Sequence, residues 1–201
     1  DGCVDLFAGT GKTDAIEDHL GPDVAVQDVD DFLAALRHLQ GRVLIDKRTC
    51  PDKVATCLKE AGCTVVEGQD PCILPKACKN AVEIAGAKSA HERDAVAMVR
   101  FLAWLDSEAP KDGLNEIDVV KALEAFRMQT NALRDISFET ICGAGSNGAI
   151  VHYRVSEQTN RPVSQGDLLL VDSGGQYIDG TTDITRTMAI GTPTDEHRAC
   201  Y

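Results

Sequence analysis

The sequence predicts two regions of different class, an α/β region over residues 1–72 and an α+β region over residues 73–201. Three observations predict this. Strand-like and helix-like segments alternate through residues 1–70, as in small α/β domains. Pro71 and Pro75 then interrupt the pattern and mark a boundary. Beyond them, two helical segments are followed by a run of strands, which suggests helices on one face of a largely antiparallel sheet.

In the first region CVDLFA, RVLIDK and CTVVEG are short runs rich in β-branched residues, and read as strands. TDAIEDHL, VDDFLAALRHLQ and PDKVATCLKEAG lie between them as helices. Phe32, Leu36 and Leu39 recur at helical intervals, with Asp30 and Asp31 near the helix start. Pro51 suits a first turn and Gly62 a helix end. After the prolines, helical periodicity runs from about Asn80 to Glu108 and places Met98, Phe101, Leu102 and Leu105 on one face. Pro110 and Gly113 stop it. Asn115, with Asp118 three residues on, caps a second helix that presents Val119, Leu123 and Phe126. From Ser137 the segments SFETICGAG, AIVHYRV, DLLLVDSGG and TTDITRTMAI read as strands between glycine- and asparagine-containing turns.

Hydrophobic residues make up 43% of 201, enough for a packed core. A formal net charge of −12 argues against nucleic acid or an anionic membrane as a partner. The eight cysteines contain no C-x-x-C pair and sit mostly beside apolar residues, which suggests buried thiols in a reducing, cytoplasmic setting. No apolar run is long enough to span a bilayer. The chain opens at Asp1 as if inside a strand and ends abruptly at Cys200-Tyr201, so it is expected to be a fragment truncated at both ends.

Residues 9–13 read GTGKT, close to the end of a phosphate-binding loop. The full pattern needs a glycine five residues before Gly11, where this chain has Leu6. A strand-to-helix turn with Lys12 in solvent is the better reading. His152, in AIVHYRV, is a candidate catalytic group; the alternative is a histidine satisfied by a core partner or solvent. His19, His38, His91 and His197 lie in helical or terminal contexts and read as surface residues.

Residues 171–188, VDSGGQYIDGTTDITRTM, carry Asp172, Asp179 and Asp183. Asp179-Gly180 is a hairpin-turn signal, which explains Asp179. Asp172 ends an apolar strand and Asp183 sits in the next one, a plausible half of a site for a hard divalent ion. With Asp179-Gly180 as a two-residue turn, Asp183 would face Gln176, on the same face as Asp172 but about 13 Å along the strand. A bulge at Ser173-Gly174-Gly175 would have to close that gap. Otherwise the two carboxylates cap turns or pair with Arg186.

DSGGQYIDGTTDITRT closely resembles the metal-site hairpin of aminopeptidase P, the Xaa-Pro aminopeptidases of the creatinase/methionine-aminopeptidase superfamily. DPCILPKACKN, AHERDAVAMVRFLAWL, SFETICGAGSNGAIVHY and QTNRP resemble the same family in the same order, so the likeness is strong from about Asp70 to Tyr201. Residues 1–72 resemble, less specifically, its creatinase-type middle domain. The resemblance implies a partial creatinase-type domain followed by the first part of a pita-bread catalytic domain. It implies two divalent metal ions, Mn2+ before Zn2+ or Co2+, and hydrolysis of peptides with proline in second position by metal-activated water. It assigns Asp172 and Asp183 as metal ligands and gives Asp179 no such role. It places His152 near the substrate, to move a proton or bind the reacting group. The remaining ligands, a histidine and two glutamates, would lie beyond Tyr201, so the isolated chain is expected to be inactive. The family often forms homodimers. A pita-bread scaffold protein without metals, and a prolidase- or creatinase-type hydrolase, are the alternatives.

Overall fold

The computed structural model describes residues 2–200 and divides the chain into two compact units, Asp1–Cys78 and Lys79–Tyr201. In the first unit β1 (Val4–Ala8) pairs in parallel with β2 (Val24–Asp28), and β3 (Arg42–Ile45) with β4 (Thr64–Glu67). Parallel neighbours need crossovers. One passes through α1 (Glu17–Leu20); the other is α3 (Asp52–Glu60), which packs on α2 (Phe32–Arg37). Pro51 stands at the N-cap of α3, and Gly62 follows its end at φ +86°. The acidic, interrupted run VAVQD forms β2, a strand not expected from the sequence. Lys12 is exposed on the turn after β1, as the solvent reading of GTGKT has it. ILPKA forms a further short helix, α4 (Ile73–Ala77), despite its proline. Pro75 is its third residue, where the missing N–H has no helical acceptor to lose.

The second unit is built on α5 (Ala81–Glu108) and α6 (Glu116–Met128). Each starts with a reciprocal capping box, Asn80 with Glu83 and Asn115 with Asp118. A three-stranded antiparallel sheet lies against them, in the order β6 (Ile141–Ala144), β7 (Leu168–Ser173), β9 (Ile184–Ala189). A second antiparallel pair joins β5 (Asp135–Ile136) to β8 (Gly175–Gln176), and α7 (Asp195–Cys200) closes the described chain. Leu169 and Val171 of β7 enter a core with Met98, Phe101, Leu105, Val119 and Leu123. Strand alternation therefore turns Leu168, Leu170 and Asp172 to the opposite, half-buried face.

Three local expectations fail for identifiable reasons. AIVHYRV is not a strand: a 3-10 segment runs over Gly145–Ala149, and a turn follows, closed by Tyr153 N donating to Ile150 O at 3.1 Å. Its apolar residues misled, since Ile150 and Val151 are exposed. Of the cysteines only Cys57, Cys63 and Cys142 are buried; Cys3, Cys72, Cys78 and Cys200 are exposed, so apolar neighbours in sequence did not imply burial. His19, His38 and His91 are exposed as expected, but His197 is half-buried. Among the described residues no helix is long and apolar enough to cross a membrane.

Candidate metal centre

The hairpin that carries the three aspartates has a different register from the one the sequence suggests. Ser173 lies opposite Ile184, Gln176 bridges Thr181, and Tyr177 N donates to Gly180 O at 2.9 Å. The two tip residues are thus Ile178 and Asp179, not Asp179 and Gly180. Continuing that register puts Asp183 opposite Gly174 rather than Gln176, with no inserted residue. Asp183 is then a diagonal neighbour of Asp172 on one face, about 7 Å away between α-carbons. The 13 Å gap does not exist, and the bulge invoked to close it is unnecessary.

Gly180 misled because its glycine serves close approach rather than a turn conformation. A Cβ there would meet Ala90 Cβ at 3.0 Å and Ala87 Cα at 3.1 Å. A Cβ on Gly86 would likewise collide with the carbonyl oxygen of Asp179. The hairpin tip rests directly on α5. Asp179 is more than a turn residue, since Arg93 of α5 donates to both its oxygens, at 3.1 and 2.9 Å. Those bonds, with Arg93 donation the leading cause, hold its carboxyl down at about 2.

Asp172, Asp183 and His152 line one cleft of about 430 Å3, with Phe138, Glu139, Ile141 and Arg154. Asp172 accepts a hydrogen bond from Thr185 Oγ1 at 2.8 Å. Asp183 is exposed, and among the described residues nothing donates to its carboxylate. Arg186 does not pair with either; its Nη1 donates to Thr185 O at 2.7 Å. His152 reaches the cleft from the exposed turn, at φ +54°, a conformation rare for residues other than glycine. Arg154 and Glu139, which the sequence did not single out, form an ion pair on the cleft wall. The two stand 15 residues apart in the chain and form no local motif.

Two buried carboxylates behind the cleft were also missed. Asp94 of α5 accepts from Arg127 Nε at 2.7 Å, Tyr177 OH at 2.8 Å and Thr182 Oγ1 at 2.9 Å, and so ties both hairpin strands to the helices. Burial and the Asp94 bond push the Tyr177 hydroxyl well above its ordinary pKa. Glu116 of α6 accepts from Ala144 N at 2.7 Å, Asn147 Nδ2 at 3.0 Å, Arg161 N at 3.0 Å and Tyr153 OH at 2.9 Å. Tyr153 adjoins His152, so Glu116 secures the histidine turn. The only sequence signal for either is a charged residue on a helix that is otherwise amphipathic.

Asp172 and Asp183 suit a hard divalent cation: two adjacent carboxylates share one face, and among the described residues neither forms an ion pair. They are a partial donor set, for among the described residues no group of three or more His, Cys, Asp and Glu is placed to hold a metal.

Comparison with known proteins agrees with this class of site. Residues 85–201 match the family model of metallopeptidase family M24, and residues 1–83 that of the creatinase/prolidase N-terminal domain. The chain belongs to metallopeptidase family M24, as a creatinase-type domain followed by residues of the pita-bread fold. Within that family its likeness is to aminopeptidase P. Xaa-Pro aminopeptidase 1 of Dictyostelium discoideum is 38% identical over 98% of this chain and 32% of its own length. Aminopeptidase P2 of Arabidopsis thaliana is 44% identical over 66% of this chain and 19% of its own length. The chain thus spans about a third or less of these curated relatives. The solved X-prolyl aminopeptidase of Caenorhabditis elegans, described as a cytosolic enzyme with a di-nuclear active site, superposes with a TM-score of 0.81. It is 27% identical, over 96% of this chain and 33% of that one. The prolidase of Pyrococcus furiosus, 22% identical with a TM-score of 0.70 over 98% of this chain and 56% of that one, shares the fold.

Proposed function

We propose that the chain carries part of the metal site of a Xaa-Pro aminopeptidase, which releases the N-terminal residue from peptides with proline in second position. The observation that supports this most is the meeting of Asp172, Asp183 and His152, from two strands and a separate turn, in one cleft. Asp172 and Asp183 would hold divalent ions, Mn2+ first and Zn2+ or Co2+ as alternatives, with hard oxygen donors that offset part of the charge. When bound, the ions supply Lewis acidity and lower the pKa of a coordinated water. His152 offers an imidazole nitrogen, Nδ1 or Nε2, to orient the peptide carbonyl or to pass a proton to the departing proline nitrogen. Proline is read by shape, because its tertiary amide has no N–H to donate.

Two carboxylates do not complete a dinuclear site, so residues 1–201 alone are expected to turn over no Xaa-Pro peptide. The net charge of −12 argues against nucleic acid or an anionic membrane as a partner. We place the protein in the cytoplasm, as the Caenorhabditis elegans neighbour is described, and expect a homodimer, as the resemblance to aminopeptidase P implies.

The deciding measurement is the metal content of the intact protein with Asp183→Asn, by elemental analysis. A sharp fall in bound metal, together with loss of Xaa-Pro cleavage, is expected. Unchanged metal content would remove the ligand role. Cleavage confined to Xaa-Pro dipeptides would instead favour a prolidase. A folded, metal-free wild type would favour a scaffold.

A further inference from the structure

We propose that Thr182, held by the buried carboxylate of Asp94, is a positioning residue for Asp183. The two candidate ligands are supported differently. Asp172 is held directly, by Thr185 Oγ1 at 2.8 Å. The Asp183 carboxylate has no donor among the described residues, so its place depends on the backbone that carries it.

That backbone is fixed at Thr182, which is fully buried. Its N–H donates to Gly175 O at 2.9 Å, and its carbonyl oxygen accepts from Ser137 Oγ at 2.9 Å. Its hydroxyl donates to Asp94 Oδ2 at 2.9 Å and accepts from Gly175 N at 2.9 Å. Every polar group of Thr182 is therefore committed, one residue before Asp183. Gly174, opposite Asp183, admits no side chain, since a Cβ there would collide with the Thr182 carbonyl oxygen and with Ser137 Oγ. Burying an ion pair such as Asp94–Arg127 contributes little net stability, whereas its fixed geometry defines where the attached groups sit. Here the attached groups are Tyr177 and Thr182, and only Thr182 adjoins a proposed ligand.

This inference rests on the metal-site reading above, and the experiment separates the two. In the intact protein, Thr182→Val and Tyr177→Phe each delete one hydroxyl bonded to Asp94 and keep the shape. Both should lower the melting temperature. Titration calorimetry with Mn2+ should show an affinity about tenfold weaker for Thr182→Val, as for the loss of other ligand-orienting groups, and unchanged for Tyr177→Phe. Thr182→Ser should restore the affinity. If Thr182→Val does not fold, Thr182→Ala carries the same readouts. Equal losses in the Thr182 and Tyr177 variants, or no loss in either, would overturn the positioning role. Asp183→Asn is titrated alongside: if it binds Mn2+ as well as wild type, the metal reading itself fails and this one with it. If Asp183→Asn loses affinity and Thr182→Val does not, only the positioning proposal fails.

Discussion

Asp94 and Glu116 are both fully buried carboxylates, each bracing one wall of the same cleft, yet their charges are offset by different means. Asp94 sits in the middle of α5, far from either helix end, and is paired with the equally buried Arg127. Burial alone would raise its pKa; the hydrogen bonds and charge of Arg127, with the Tyr177 and Thr182 hydroxyls, outweigh that and keep it below the ordinary carboxylate value. Glu116 is the first residue of α6, and its donors are two backbone N–H groups, an amide and a phenol. None is a cation. A carboxylate at a helix N-terminus already lies in a favourable field and beside unpaired N–H groups, so neutral donors suffice. A mid-helix carboxylate has neither advantage and requires a buried arginine. The buried tie of the hairpin wall is therefore an ion pair, and that of the histidine wall is a set of neutral hydrogen-bond donors.

Two substitutions should separate these modes, the larger effect first. Arg127→Met leaves Asp94 buried without its cation and should cost about 3–5 kcal/mol in urea unfolding at neutral pH. Arg127 has little slack elsewhere, since its buried Nη1 has no hydrogen-bond partner among the described residues. Pairing Arg127→Met with Asp94→Asn should cost less than the two single changes summed, because the stranded charge is gone. Glu116→Gln keeps the volume but turns one acceptor into a donor among donors, for about 1–3 kcal/mol. If Glu116→Gln proved the more damaging, the distinction between charged and neutral compensation would fail.

The same comparison shows what was legible in the sequence. Capping boxes at Asn80 and Asn115, the core faces of α5 and α6 and the strands around Asp172 and Asp183 follow from local patterning. Asp172, Asp183 and His152 stood out as candidates locally, but their roles came from the family resemblance; the fold brings the three to one cleft. Tertiary determinants were not legible. Gly180 looked like a turn glycine, but it is needed for contact with Ala87 and Ala90 on a helix some ninety residues earlier. The hairpin register differs by two from the one expected, and it sets the two aspartates as diagonal neighbours. Asp94 and Glu116 looked like ordinary helix charges, because their partners are scattered from Arg127 to Thr182 and from Ala144 to Arg161. The apolar β-branched neighbours of His152 mimic a strand, whereas Val151 is 83% exposed on a turn.

The smallest effect is expected at the hairpin tip, where the charged tie reaches the surface. Asp179 and Arg93 are each 27% exposed, and Arg93 also lies over the Tyr177 ring at 5.2 Å. Folding depresses the Asp179 carboxyl from 3.8 to about 2, chiefly through Arg93 donation. A depressed carboxylate contributes stability above its unfolded value and loses it as pH falls through the folded value. The melting-temperature difference between wild type and Asp179→Asn should therefore be constant above about pH 5, shrink as pH falls below about 4, and vanish near or below about pH 2. Taking the difference cancels carboxylates common to both proteins. Added salt should reduce it further, because a partly exposed pair is screened where the Asp94–Arg127 pair is not. The absence of any difference, at neutral as at low pH, would mean that Asp179 holds the tip through its backbone packing on Gly86. The charged tie would then end at Asp94.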